Sequence, residues 1–263
     1  MEQYASLFGL MGELNSIVKK AGDAILKVYG GESYGVQIKA DDSPVTLADI
    51  AANEVICEGL LKLDPGIPFL SEENMEISYE VRRNYEYFWL IDPLDGTKEF
   101  VKQNGQFTIN VCLVHRTRAV LGLVFVPVEQ TMYYALSGHG AFMEKEDKPV
   151  CRLECATFST AQKGLRIPCS LSHVNTDTKN YIQQYIDPVL MPRGSALKFM
   201  MLANADADLY PRLAPTMEWD TAAPQIIVEE AGGVVLNYET MEPLQYNKES
   251  LVNPGFVAFG KRS

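Results

Sequence analysis

Residues 89–97 read Trp-Leu-Ile-Asp-Pro-Leu-Asp-Gly-Thr, and this stretch limits the possible folds more tightly than any other. The apolar run 87–91 has the composition of a buried strand and delivers two carboxylates, Asp92 and Asp95, at its C-terminal end. Pro93 has no amide for a sheet ladder, so the strand is expected to stop there. Gly96 permits a tight turn, and Thr97 is placed to cap a helix entered by Lys98-Glu99-Phe100-Val101. Free amides at such a helix start favour an anion. The two acids repel that anion unless a hard cation such as Mg²⁺ lies between them. The pattern points to metal-assisted phosphate chemistry. Asp-Pro and Asp-Gly pairs also mark ordinary turns, so a cage needs more acids.

Three further stretches supply them. Pro68-Phe69-Leu70-Ser71-Glu72-Glu73 is a short apolar run ending in acids, although either glutamate alone reads as a surface charge. Glu218-Trp219-Asp220-Thr221-Ala222-Ala223 opens an expected helix that continues to Ala231, where Asp220 is also a plausible N-cap. Ser43-Pro44-Val45-Thr46-Leu47-Ala48-Asp49 enters an expected helix over 47–61, with Thr46 as its cap and Asp49 as a favourable first-turn acid.

Together, Leu70-Ser71-Glu72-Glu73, Asp92-Pro93-Leu94-Asp95-Gly96-Thr97 and Trp219-Asp220-Thr221-Ala222-Ala223 resemble the inositol monophosphatase superfamily of Mg²⁺-dependent, lithium-sensitive phosphatases. The resemblance runs from about residue 39 to 259 and keeps order and spacing. Lys98-Glu99-Phe100 after the Thr is similar to the 3'(2'),5'-bisphosphate nucleotidase branch, whereas inositol phosphatases typically carry Thr-Asn there. Ser43-Pro44-Val45-Thr46, Gly194-Ser195 with Leu197-Lys198-Phe199, Leu209-Tyr210-Pro211-Arg212 and Asn253-Pro254-Gly255-Phe256 match that branch as well. The fold so implied is mixed α and β, an αβαβα layered sandwich of the inositol monophosphatase / fructose-1,6-bisphosphatase type. Periodicity alone supports only the mixed class.

The resemblance implies a site. Glu72, Asp92, Asp95 and Asp220, with the Leu94 carbonyl, would hold two or three Mg²⁺ ions; oxygen-only ligation suits Mg²⁺, and no convergent Cys/His set argues for zinc. Thr97 would hydrogen-bond the metal-activated water, with Asp49 behind it as orienter and proton acceptor. Gly96 and Thr97 amides would cradle the phosphate that leaves. Ser195, Lys198 and Arg212 would take a second phosphate, Arg as a bidentate fork and Lys as a compact charge. Read without the resemblance, Lys198 is an ordinary helix lysine and Arg212 an ion-pair partner of Asp206 or Asp208. Ser170 and His173 lie where relatives carry a Ser-Arg-Ser-His-like segment near the substrate, with Leu171 replacing the basic residue. The implied reaction is hydrolysis of adenosine 3',5'-bisphosphate to AMP and phosphate, clearing a by-product of sulfate assimilation. An inositol phosphatase or sugar bisphosphatase on the same cage is the alternative enzyme, and a catalytically silent nucleotide or cation sensor the non-enzyme alternative. A pure binder has no need of the Asp49–Thr97 pair.

Composition sets the remaining bounds. The chain has 263 residues, expected as an α+β part over 1–149 with most metal ligands and an α/β part over 150–263 with Asp220 and the nucleotide residues. A net charge of −11 argues against nucleic-acid binding, and an anionic substrate is reconciled with it only by local cations. Five cysteines without a paired spacing (Cys57, Cys112, Cys151, Cys155, Cys169) are expected as reduced thiols in a cytoplasmic protein. No signal peptide or apolar run of membrane-spanning length is evident. Tyr4, Leu7, Met11, Leu14, Val18, Ala21 and Ile25 mark one face of an amphipathic helix, expected to pack in the core. The resemblance also allows peripheral attachment to the cytoplasmic face of an inner membrane, and a monomer or a homodimer. Strands are expected over 87–91, 108–115, 119–126 and 131–135, continuing through Gly138–Phe142. A hairpin turn is expected at Arg118 and the residues around it, and a last strand over 256–259. A strand over 165–168 and helices over 179–185 and 196–203 are expected between.

Overall fold

The computed structural model describes residues 7, 9–31, 34–38, 44–74, 77–171 and 174–263. Tyr4, Ser43 and His173 lie outside the described residues. Helix α1 (Met11–Tyr29) buries Met11, Leu14, Val18, Ala21 and Ile25, the face that the periodicity marks. After a two-stranded ribbon of β1 (Gln37–Ile38) and β2 (Pro44–Val45), helix α2 (Leu47–Leu63) packs against α1. Both helices cover one face of a seven-stranded sheet.

That sheet runs in order β3 (Phe69–Ser71), β4 (Tyr87–Asp95), β5 (Thr108–His115), β6 (Arg118–Val126), β7 (Thr131–Leu136), β8 (Gly140–Lys145) and β9 (Cys151–Arg152). Only β3 and β4 are parallel; the others form an antiparallel meander. Short helix α3 (Tyr79–Arg82) links β3 to β4, and α4 (Thr97–Val101) links β4 to β5. The hairpin turn lies at Arg116 and Thr117, with Arg116 at φ 56°, so Arg118 already belongs to β6.

Strand β4 does not end at Pro93. It continues to Asp95, with a register shift that sets Asp92 opposite Asn110 but Asp95 opposite Thr108. Three steps on β4 therefore face two on β5. Such a bulge leaves the extra residue out of the ladder, which is how a strand accommodates a residue without an amide. Thr97 is likewise not the cap of α4 but its first residue; Gly96, at φ 94°, holds the N-cap position.

The second half supplies β10 (Thr157–Phe158), β11 (Arg166–Ser170), α5 (Thr176–Gln183), β12 (Val189–Arg193), α6 (Leu197–Ala203), β13 (Leu209–Arg212), α7 (Glu218–Glu230), β14 (Val234–Asn237), β15 (Phe256–Phe259) and β16 (Lys261–Arg262). Phe256–Phe259 is thus not the last strand: β16 follows and pairs with β10, each too short to show a period. Helix α5 starts three residues earlier than expected because Asn175 caps it, accepting from the Thr178 amide at 3.1 Å. Strands β13, β15 and β14 form a three-stranded sheet, and β11 and β12 a parallel pair.

Helices α6 and α7 lie between the two larger sheets. Leu90, Cys112 and Val124 of the first sheet share one core with Phe199, Trp219, Ile226 and Ile227 of these helices and Tyr210 and Phe256 of the second sheet. A further cluster of Phe158, Ile167, Ile182, Leu209 and Val257 packs α5 on the outer side. The layers therefore run α, β, α, β, α. Among the described residues no helix is long and apolar enough to cross a membrane.

Gly122 on β6 sets the depth at which α7 seats. A Cβ there would lie 2.5 Å from Ile226 Cγ2 and 2.7 Å from the Ala223 carbonyl oxygen, so only a glycine allows this approach. Gly122→Ala should lower folding stability by about 1–3 kcal/mol, the usual effect of overpacking a filled core. A chemical denaturation curve measures this, and an unchanged stability would contradict the contact.

Candidate active site

The β4 bulge is where the chemistry gathers. Asp92 is 1% exposed, and its Oδ1 accepts the Leu94 amide at 3.0 Å. Asp95 Oδ2 accepts the Ala196 amide at 2.6 Å, from the turn before α6. Asp220, in the first turn of α7, accepts the Met217 amide on Oδ2 at 2.8 Å. It is the third helical residue, not the cap. Each aspartate is thus pinned by one backbone amide, which leaves its second oxygen for another ligand.

These acids press on one another. Burial first, then the charges of Glu72, Asp95, Asp220 and Asp49, hold the Asp92 carboxyl well above its ordinary range. Asp220 is held high by burial and by the Asp95 and Glu72 charges. Asp95 is pushed up to about 6, chiefly by burial, although Lys198 and the Ala196 amide favour its ionised form. Glu72 follows β3, which runs parallel to β4 and so ends at the same edge. The donors are hard oxygens, the set that suits Mg²⁺. Among the described residues no three His, Cys, Asp or Glu side chains are placed to hold a metal ion as they stand. Mutually repelling carboxylates have no cause to close further by themselves. Their chemistry, not a finished coordination shell, is what fits a divalent cation.

Asp49 and Thr97 form a separate dyad. Thr46 caps α2, and its amide and hydroxyl both donate to Asp49 Oδ2 at 2.7 Å. Asp49 Oδ1 is then directed at Thr97 Oγ1, 3.2 Å away; the same hydroxyl lies 3.3 Å from the Leu94 carbonyl oxygen. One hydroxyl proton can serve only one of these acceptors at a time. Burial pushes the Asp49 carboxyl up to about 6 against the opposing effect of the Thr46 bonds. Asp49 is 2% exposed, so it is not a simple first-turn surface acid.

An open cleft of about 170 Å³ brings Asp95, Gly96 and Asp220 together with Ser170, Ser195, Lys198 and Arg212. Gly96 must be a glycine: besides its φ, a Cβ would lie 3.1 Å from the Gln106 carbonyl oxygen and 3.2 Å from Ser195 Cβ. Ser195 sits at φ 43°, a left-handed conformation uncommon for serine. Lys198 is 7% exposed, donating from Nζ to the Ser195 carbonyl at 2.6 Å, and burial lowers it to about 8. Its direct partners are neutral carbonyls, and the Asp95, Glu99 and Asp220 charges favour the ammonium against burial. Arg212 Nε is buried without a hydrogen-bond partner. Arg212 does not pair with Asp208, which is occupied by Arg166 at 2.7 Å. A buried cation and an Arg212 Nε without a partner, in one cleft, are what an anion would complete.

Two residues were not anticipated from the sequence. Thr108 and Asn110 on β5 are fully buried, each 3.5 Å from Asp95 Oδ2, and Thr108 Oγ1 is 3.1 Å from Ser195 Oγ. The available signal was two polar residues at alternate positions of an otherwise apolar strand, Thr-Ile-Asn-Val-Cys-Leu-Val, hence on one face of the sheet.

Known proteins give an independent comparison. The model of the inositol monophosphatase family matches residues 12–257. The 3'(2'),5'-bisphosphate nucleotidase CysQ of Escherichia coli (strain K12) is 41% identical over 249 residues, 94% of this chain and 98% of that protein. The protein of the same name from Salmonella typhimurium is 42% identical over the same shares. Among solved structures, CysQ from Bacteroides thetaiotaomicron, described as a bacterial member of the inositol monophosphatase family, superposes with a TM-score of 0.83 at 37% identity, covering 98% of this chain and all of that one. Three acid-bearing motifs, the layered fold and near full-length agreement with these relatives lead to one conclusion: the chain belongs to the inositol monophosphatase family.

Proposed function

We propose that the chain hydrolyses the 3'-phosphate of adenosine 3',5'-bisphosphate, yielding AMP and inorganic phosphate. The observation that carries this reading is the pairing, in one cleft, of Asp95 and Asp220 from the acid cluster with a second, cationic anion site at Lys198 and Arg212. A monophosphate needs only the first; a bisphosphorylated nucleotide needs both. The relatives named 3'(2'),5'-bisphosphate nucleotidase CysQ support the same substrate.

Glu72, Asp92, Asp95, Asp220 and the Leu94 carbonyl would hold two or three Mg²⁺ ions, which supply charge neutralisation of the phosphate and activation of the attacking water. Thr97 Oγ1 orients that water, and Asp49, already satisfied on Oδ2 by Thr46, takes its proton on Oδ1 through the hydroxyl. Gly96, with no side chain, lets the phosphate approach the backbone. Ser195, Lys198 and Arg212 bind the 5'-phosphate, and Ser170, which lines the same cleft, contacts the nucleoside; the resemblance gives His173 the same role. Five free thiols suit the reducing cytoplasm where the nucleotide arises.

Phosphate release from adenosine 3',5'-bisphosphate and from inositol 1-phosphate, each with Mg²⁺ and with EDTA, tests the reading. Fast Mg²⁺-dependent turnover of the nucleotide is expected, and a preference for the inositol ester would overturn the role of the cationic site. Thr97→Ala and Asp49→Asn should lower kcat about 10²- to 10⁴-fold with Mg²⁺ binding retained; unchanged kcat removes the dyad from the mechanism. Arg212→Ala should raise KM for the bisphosphate roughly 10- to 100-fold, the loss of a charge-assisted contact. An equal rise for a nucleoside monophosphate would sink that assignment.

The acids also tie stability to pH. Asp49 and Asp95 lie at about 6 in the fold against 3.8 ordinarily. A raised carboxyl favours the protonated fold, so this contribution is complete below about 3.8 and is lost as pH rises through 6. Mg²⁺ bound to ionised Asp95 reverses the loss. The rise in thermal midpoint caused by Mg²⁺ over EDTA should therefore be larger at pH 7.5 than at pH 5, and an equal rise at both would contradict the linkage.

A further inference from the structure

The first turn of α7 carries Asp220 yet is poorly secured by its own helix. Pro224 has no amide, so the Asp220 carbonyl lacks the usual partner four residues on. Residues 245–253 hold the turn from outside. The Glu218 amide donates to the Leu251 carbonyl at 2.9 Å, and the Asn253 amide to the Thr216 carbonyl at 2.8 Å. Asn253 Nδ2, in a side chain 3% exposed, lies 2.7 Å from the Met217 carbonyl oxygen and 2.9 Å from Thr221 Oγ1, gripping the chain on either side of Asp220.

Glu218 closes the grip from the helix side. Its carboxylate, fully buried, accepts the Asn247 amide at 2.6 Å, the Lys248 amide at 3.0 Å and Lys248 Nζ at 2.5 Å. Lys248 Nζ also lies 3.3 Å from Asn253 Oδ1, so the two contacts form one network. The same loop reaches the segment that follows Glu72. Arg82, 4% exposed, donates from Nη1 to Asn247 Oδ1 at 3.0 Å and from Nη2 to the Glu249 carbonyl at 2.8 Å, while Asn247 Nδ2 donates to the Arg82 carbonyl at 2.8 Å.

We infer that Asn253 and Lys248 are positioning residues for the metal cage, acting through the first turn of α7 to fix the Asp220 carboxylate in the orientation a divalent cation needs. Neither residue itself lines the cleft; Asn253 stands behind it, bonded to the lining residues Thr216 and Thr221. A carboxylate free to swing must be ordered each time the cation binds, so loosening its support weakens the cation and not the nucleotide. The inference rests on the Mg²⁺ reading of the site proposed above.

Direct Mg²⁺ binding by calorimetry, without nucleotide, is the primary readout for Asn253→Ala and Lys248→Gln. Each should weaken Mg²⁺ about 10- to 100-fold, the usual effect of removing a group that orients a metal ligand. In turnover, each should raise the half-saturating Mg²⁺ by a similar factor and leave KM for the nucleotide at saturating Mg²⁺ within about twofold. A purely structural role would lower the thermal midpoint yet leave Mg²⁺ affinity, measured well below that midpoint, unchanged, and this result overturns the inference. Should Asn253→Ala fail to fold, Lys248→Gln decides, because its backbone amide still bonds Glu218. Wild-type protein that binds Mg²⁺ but leaves the nucleotide intact would refute the substrate reading and leave this inference to the calorimetry. Wild-type protein that binds no Mg²⁺ refutes both.

Discussion

Mutual repulsion among buried carboxylates is the constraint from which the rest of this structure follows. Asp92 sits among Glu72, Asp95, Asp220 and Asp49 with its charge disfavoured by all of them. Such a cluster is unfavourable for folding by itself, because each ionised group loses water and gains a like neighbour. The fold tolerates it through local amides at Asp92, Asp95 and Asp220 and through Lys198 beside Asp95. A divalent cation converts the same repulsion into binding energy. Under the proposed function, stability, metal affinity and catalysis all depend on this one electrostatic arrangement.

The scaffold places these acids with a repeated local device. Asp49 and Asp220 are both third residues of their helices, and each accepts the amide of the residue before its helix, Thr46 or Met217, on Oδ2. A first-turn aspartate is favourable for any helix. Here the same bond that stabilises the helix start also fixes the direction of the other oxygen. Strand β4 contributes in another way. Its bulge at Pro93 turns Asp92 and Asp95 to the same end while β5 continues beneath them. The parallel β3–β4 pair brings Glu72 to that end, and Gly122 lets α7 sit close enough on β6 for Asp220 to follow.

Much of this could be read from the chain. Helix α1 and the meander from β4 to β8 follow directly from apolar spacing, α2 follows from its Thr46 cap, and the three acid motifs reveal the family through order and spacing. What was hidden depends on tertiary contact. Pro93 argues locally for a strand end, whereas pairing with β5 absorbs it as a bulge. Thr97 looks like a cap, but Gly96 takes that position and frees the hydroxyl for Asp49, 48 residues earlier. Arg212 could be assigned an aspartate by charge alone; only the fold shows Asp208 already engaged by Arg166. Thr108, Asn110 and Lys248 carry no motif of their own, and the Asn253-Pro254-Gly255-Phe256 match does not say what Asn253 holds, because their meaning lies in what they touch.

The central claim is that the acid cluster is a divalent-cation site adjoining a second phosphate site, and anomalous diffraction from crystals grown with Mn²⁺ and AMP tests it most directly. The account predicts Mn²⁺ peaks between Glu72, Asp92, Asp95 and Asp220, with the AMP 5'-phosphate against Lys198 and Arg212. Mn²⁺ bound elsewhere with the cluster empty, or a phosphate that avoids Lys198 and Arg212, would contradict it.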